Sequence, residues 1–340
     1  MKHRVISRRR LMVICIAVLV LAIFYYFKID RHYLNFRQER VPENFWGVTF
    51  SRKYATELGL DWKTAYQQML TELKVKNLRL PIYWDDIEPV NNQWQTADYD
   101  WMLEEAEKNN VSVIAVIGRR QPRWPECHDP KWLSGLSAEE IAQEQLVMVE
   151  QAVTHFRQSS AITMWQLENE YFVTWFGNCP QMPPELLDSE INLLRRLDRR
   201  PLLLTDSGEF SRWRQIADRA DIIGTTMYRV AWNQYTGYTY SAWPAWFYQL
   251  KAQMIGFAQE QMMVAELQAE PWPPAHKSIQ GLSAKEIDKS FSLKQFATNS
   301  ELARRTKFSS AYFWGVEWWY WRHQQGDSRY WNYARDLFAN

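Results

Sequence analysis

The chain has 340 residues, 46% hydrophobic and 23% charged, with a formal net charge of +1. That composition describes a globular protein with a sizeable core and excludes a disordered chain. Near-neutral charge with dispersed basic residues leaves no electrostatic footprint for nucleic acid.

Lys2, Arg4, Arg8, Arg9 and Arg10 precede an uncharged, mostly apolar run from Leu11 to Phe27, and Lys28 ends it. The run is at the short end for a helix that spans a bilayer. A basic start before an apolar stretch also fits a cleaved signal peptide. The residues that follow, Ile29-Asp30-Arg31-His32-Tyr33, contain no small-residue cleavage site, which favours an uncleaved signal anchor. Residues 1–10 then read as a cytoplasmic basic segment, 11–27 as a single N-terminal transmembrane helix containing Cys15, and 28–43 as a polar tether. The charge bias places the rest of the chain on the extracytoplasmic side of the membrane.

From residue 44 short apolar runs alternate with amphipathic stretches, the signature of parallel α/β architecture. Strands are expected to begin near Phe45, Asn77, Ser112, Ile162, Pro201, Asp221, Met262 and Ala311. Asp61 is placed to cap a helix with Ala65, Met69 and Leu73 on one face. Ser137 precedes a longer one carrying Ile141, Leu146, Val149 and Val153, and Pro184 to Leu197 forms another. Eight strands with no low-complexity break predict a single (β/α)8 TIM barrel over residues 44–340. Cys127 and Cys179 follow the third and fourth strand candidates, so neighbouring loops can join them in a disulfide; two unpaired loop cysteines are the alternative.

Two of these strands close on a carboxylate: Ile162-Thr163-Met164-Trp165-Gln166-Leu167-Glu168-Asn169-Glu170 and Met262-Met263-Val264-Ala265-Glu266. At roughly 31 residues per β/α unit, Glu170 and Glu266 lie three units apart, as strands four and seven of one barrel. Two carboxylates across a barrel mouth are what cleavage of a glycosidic bond requires. His3, His32, His128, His155, His276 and His323 include no pair at metal-ligand spacing, and no Gly-rich loop follows the last strands. Neither a metal, nor a phosphate group, nor any other cofactor is therefore expected. Nineteen Trp and 17 Tyr exceed what such a core needs. Some cap the barrel, and others suit the apolar faces of sugar rings.

The stretch Leu78-Arg79-Leu80-Pro81-Ile82-Tyr83-Trp84-Asp85-Asp86-Ile87-Glu88-Pro89 resembles the second β/α unit of clan A glycoside hydrolases. Gln166-Leu167-Glu168-Asn169-Glu170-Tyr171 is similar to the acid/base segment of family 35, and the run as a whole resembles families 5 and 42. This resemblance implies that Glu170 is the general acid/base, Asn169 the amide beside the reacting carbon, and Glu266 the nucleophile. It implies further that Arg79 and Tyr228 hold the nucleophile, and that Trp314 is the platform under the reacting sugar. Glu270, in Glu270-Pro271-Trp272, departs from the pattern as a rival nucleophile.

Other residues keep two readings. Glu168 is either a buried partner or a substrate contact. Glu317 grips hydroxyls or braces its loop, and Trp124 with Glu126 lines the cleft beyond strand three. The expected protein is a membrane-anchored, retaining β-glycoside hydrolase acting on a β-linked oligo- or polysaccharide. A catalytically inactive glycan-binding barrel of an envelope polysaccharide assembly complex, and a transglycosylase, are the alternatives.

Overall fold

The computed structural model describes residues 16–17, 42, 44–275 and 277–339. Ten strands lie in this range: β1 (Trp46–Thr49), β2 (Asn77–Pro81), β3 (Ser112–Ile117), β4 (Ile162–Leu167), β5 (Leu202–Asp206), β6 (Ile222–Met227), β7 (Val230–Asn233), β8 (Gly237–Tyr240), β9 (Met262–Gln268) and β10 (Ala311–Trp314). Eight of them close a barrel in the order β1-β10-β9-β6-β5-β4-β3-β2. Every pairing around the barrel is parallel. The expected strand starts fall within a residue of those observed. Among the described residues no helix is long and apolar enough to cross a membrane. The expected anchor over 11–27, like the basic segment before it, lies outside the described residues except for Ile16 and Ala17.

Local chemistry explains the elements. Sequences such as Val113-Ile114-Ala115-Val116-Ile117 are apolar throughout because helices cover one face of the strand and the barrel interior covers the other. Asp61 caps the helix Trp62–Thr71 by accepting from Lys63 N. Ser137 and Glu140 form a reciprocal capping box at the start of the helix Ala138–Phe156. That helix is rotated from the expected face: Gln145, Met148, Val149, Ala152, Val153 and Phe156 are buried, while Ile141 and Leu146 are only half-buried. The rotation carries Gln145, a polar residue, into the site described below.

Inside the barrel Ile114, Leu203, Met263 and Tyr312 form one buried cluster, with Met164 and Ile222 packed against it. Two residues further along β4 and β5 the side chains of the same face are Gln166 and Thr205, so a polar layer stands on an apolar floor. On β9 the register slips: Thr225 pairs with Val264 but Thr226 with Glu266. The pairing to β10 is irregular at the same place. An extra residue in a strand re-aims the side chains beyond it, and here the side chain beyond it is Glu266. The antiparallel pair β7–β8 was not anticipated. Gln268 pins its base, accepting from Arg229 N and Val230 N at 2.9 Å each.

Candidate active site

Glu266 Oε1 accepts a hydrogen bond from Arg79 Nη1 at 2.8 Å, and its Oε2 accepts one from the Tyr228 hydroxyl at 2.9 Å. A carboxyl that receives donors at both oxygens is bonded as an ionised group. Arg79 is fully buried. Its remaining nitrogens donate to Gln166 Oε1 and Asn169 Oδ1, both at 2.8 Å. One guanidinium thus ties β2, β4 and β9 together.

Asn169 Oδ1 also accepts from the Thr205 hydroxyl at 3.2 Å, and its Nδ2 donates to Glu126 Oε2 at 3.2 Å. Glu170 N donates to the same Thr205 oxygen at 3.1 Å. Glu168 and Glu170 both adopt positive φ, +57° and +47°. Left-handed non-glycine residues cost on the order of 1–3 kcal/mol each and gather at functional sites. The Glu170 carboxyl is pushed well above the ordinary range, first by burial, then by the negative charge of Glu266, then by that of Glu126. Glu126 is itself raised to about 8 by burial, with Arg120 opposing. Glu170 therefore lies near enough to Glu266 and Glu126 to feel the charge of both.

The two readings of Glu168 separate here. Its oxygens accept Arg119 N at 2.8 Å and Arg120 N at 2.6 Å, and Gln145 Nε2 donates to it at 3.0 Å. Gly118, at φ +125°, leaves the carboxylate the room that a Cβ would take. Gln145 Nε2 also donates to Glu190 Oε1 at 2.6 Å, so one amide bridges the two buried carboxyls. Burial first, and then the charge of Glu168, holds Glu190 protonated well above the ordinary range; burial raises Glu168 to about 7. Glu168 thus faces the surrounding helices and braces the loop after β3.

Glu270 and Glu317 belong to a second cluster. Arg123 pairs with Glu270, and its Nη2 donates to Glu317 Oε2 at 3.1 Å. The Arg123 guanidinium lies 3.7 Å from the Tyr54 ring centroid and 4.1 Å from that of Trp314. One face of Trp314 is therefore taken by Arg123, and the ring is only 8% exposed. Burial raises Glu270 to about 7 and lifts Glu317 as well. Glu317 Oε1 accepts Ser51 N, so it ties the end of the barrel to the loop after β1. Trp124 is 67% exposed on the loop after β3. Cys127 and Cys179 are joined in a disulfide with Cα atoms 5.2 Å apart. Among the described residues no three His, Cys, Asp or Glu side chains are grouped to hold a metal ion.

Sequence reading missed Gln166, Thr205, Arg120, Arg123, Gln145 and Glu190. Gln166 alone carried a local signal, as a polar residue inside an apolar strand. The others are defined by partners far away in the chain.

No family model and no curated protein matches this chain. Among solved structures it resembles a catalytic-mutant form of a family 42 β-galactosidase from G. stearothermophilus, with TM-score 0.61 and 11% identity; the match covers 88% of this chain and 56% of that one. It also resembles xylanase 10B from Thermotoga petrophila in complex with xylobiose, with TM-score 0.54 and 15% identity over 83% and 87% of the two chains. A third is a GH5_18 protein from Streptomyces cattleya in complex with GlcNAc, with TM-score 0.56 and 11% identity over 81% and 70%. The chain therefore has the barrel fold of the clan A glycoside hydrolases, and it spans little more than half the length of the β-galactosidase.

Proposed function

We propose that the barrel is a retaining β-glycosidase working by double displacement with two glutamates and no cofactor. One observation carries this reading: Glu266 receives donors from Arg79 and Tyr228 at its two oxygens, while burial and the charge of Glu266 push the Glu170 carboxyl above the ordinary range. Acetal cleavage needs that division of labour. Glu170 would protonate the departing oxygen as Glu266 attacks the anomeric carbon. Water activated by Glu170 would then release the sugar from the Glu266 ester. Asn169 Nδ2, which donates to Glu126 in this structure, would hold a hydroxyl of the reacting sugar. Glu270, engaged by Arg123, fits a supporting role better than that of nucleophile. The fold is shared with enzymes named for β-galactoside and xylan substrates, and β-linked pyranosides are the substrate class we assign.

Incubation with 2-deoxy-2-fluoro aryl β-glycosides should add one sugar mass to the peptide bearing Glu266. Protein that stays unlabelled across galactoside, xyloside, mannoside and glucoside probes would favour an inactive glycan-binding barrel. We assign residues 11–27 as a signal anchor that holds the barrel on the extracytoplasmic side. Removal of residues 1–30 should therefore yield a water-soluble protein that reacts with the same probe. Aggregation of the shortened protein would count against that assignment.

A further inference from the structure

Tyr228, the donor to Glu266, begins a file of rings that leads to the exposed Trp124. Its ring centroid lies 5.3 Å from that of Trp272, Trp272 lies 6.1 Å from Phe176, and Phe176 lies 6.0 Å from Trp124. Trp175, beside Phe176, meets Phe210 edge-on at 6.5 Å. Trp124, Trp175 and Phe210 are 67%, 59% and 78% exposed, so they are not capping the core. They follow β3, β4 and β5, and Trp272 follows β9, which puts all of them at the barrel end that holds Glu170 and Glu266.

Trp124, Trp175 and Phe176 stand on a braced frame. Buried Arg120 donates to Val173 O at 2.5 Å and to Phe176 O at 2.8 Å, which joins the loop after β3 to the loop after β4. Asn178 N donates to Pro125 O at 2.8 Å, and the Cys127–Cys179 disulfide links the same two loops. Large exposed rings on a frame fixed in three places lose little freedom when a ligand stacks on them. A pyranose laid on an indole buries its C–H face and leaves its hydroxyls in water.

We propose that this file is a run of subsites for an extended β-linked glycan, so that the protein acts on chains of several sugars rather than on a disaccharide. The proposal rests on the glycosidase reading for its chemistry but is tested by binding alone. Calorimetry would use β-1,4-linked xylo-, manno- and gluco-oligosaccharides of two to six units with the Glu170→Gln variant, which should bind without turnover. In at least one series affinity should rise roughly tenfold from two units to five. Trp124→Ala and Trp175→Ala, both at exposed positions, should each lower affinity for the five-unit chain about five- to tenfold, and lower that for the two-unit chain less. Affinity independent of length in all three series, or a length effect unchanged in both variants, would overturn the proposal. Failure of the glutamate assignment would appear elsewhere, as absence of the covalent label on Glu266.

Discussion

Glu266→Ala is expected to stop turnover, with kcat falling by roughly 10⁴-fold or more, because a covalent catalyst has no substitute when the attacking atom is removed. The loss should be chemical and not conformational. Arg79 would keep its bonds to Gln166 and Asn169, although removing its carboxylate leaves a buried charge without its partner, a change that costs about 3–5 kcal/mol in comparable cases. Glu266→Gln retains an acceptor for Arg79 and serves as the control for stability. In Glu266→Ala, sodium azide can enter the space the carboxylate leaves and attack the anomeric carbon from the same side. The product should be a glycosyl azide of inverted configuration, identified by NMR. Glu270→Ala should show no such rescue, since Glu270 is held by Arg123, which keeps Glu317 as a partner. Azide rescue of Glu270→Ala with none in Glu266→Ala would reverse the assignment.

The difference between these two carboxylates shows what a sequence can disclose. Both Glu266 and Glu270 stand at the end of the same strand, with no local feature to rank them. What distinguishes them is Arg79, Tyr228 and Arg123, which arrive from β2, the end of β6 and the loop after β3. Periodicity marks strand ends well, because an inward face, an outward face and a helical stripe repeat within a few residues. It located the eight barrel strands. It is blind to hydrogen bonds between elements, and so the helix carrying Gln145 was read with its face rotated. Glu168 kept two readings for the same reason, until Gln145, Glu190 and the amides of Arg119 and Arg120 settled which way it faces. The β7–β8 hairpin escaped notice because the stretch Val230-Ala231-Trp232-Asn233 alternates too briefly to stand out from a loop.

Glu170→Ala should behave differently from the nucleophile variant. General acid catalysis contributes about 10²–10⁴-fold, and only where the leaving group needs a proton. For unactivated β-linked disaccharides kcat/KM should fall by that amount, whereas for dinitrophenyl glycosides the first step should be almost unaffected. The second step would then limit turnover, because no base remains to activate water. Azide should relieve this limit by attacking the Glu266 ester from the face Glu170 has vacated, giving a product of retained configuration, opposite to that from Glu266→Ala. The pH profile supplies an independent measure. An acid catalyst works while protonated, so activity is present below its pKa in the folded enzyme and lost as pH rises through it. Burial and the charge of Glu266 raise that pKa above the ordinary carboxyl range, so the basic limb of kcat/KM should lie above that range as well, and in Glu170→Ala it should vanish with activated substrates. Esterification of Glu266 would remove the second of these causes while burial persists. On the proposed mechanism Glu170 would then release its proton more readily, as the hydrolytic step requires. Equal loss on both classes of substrate, with the basic limb intact, would take the acid role away from Glu170.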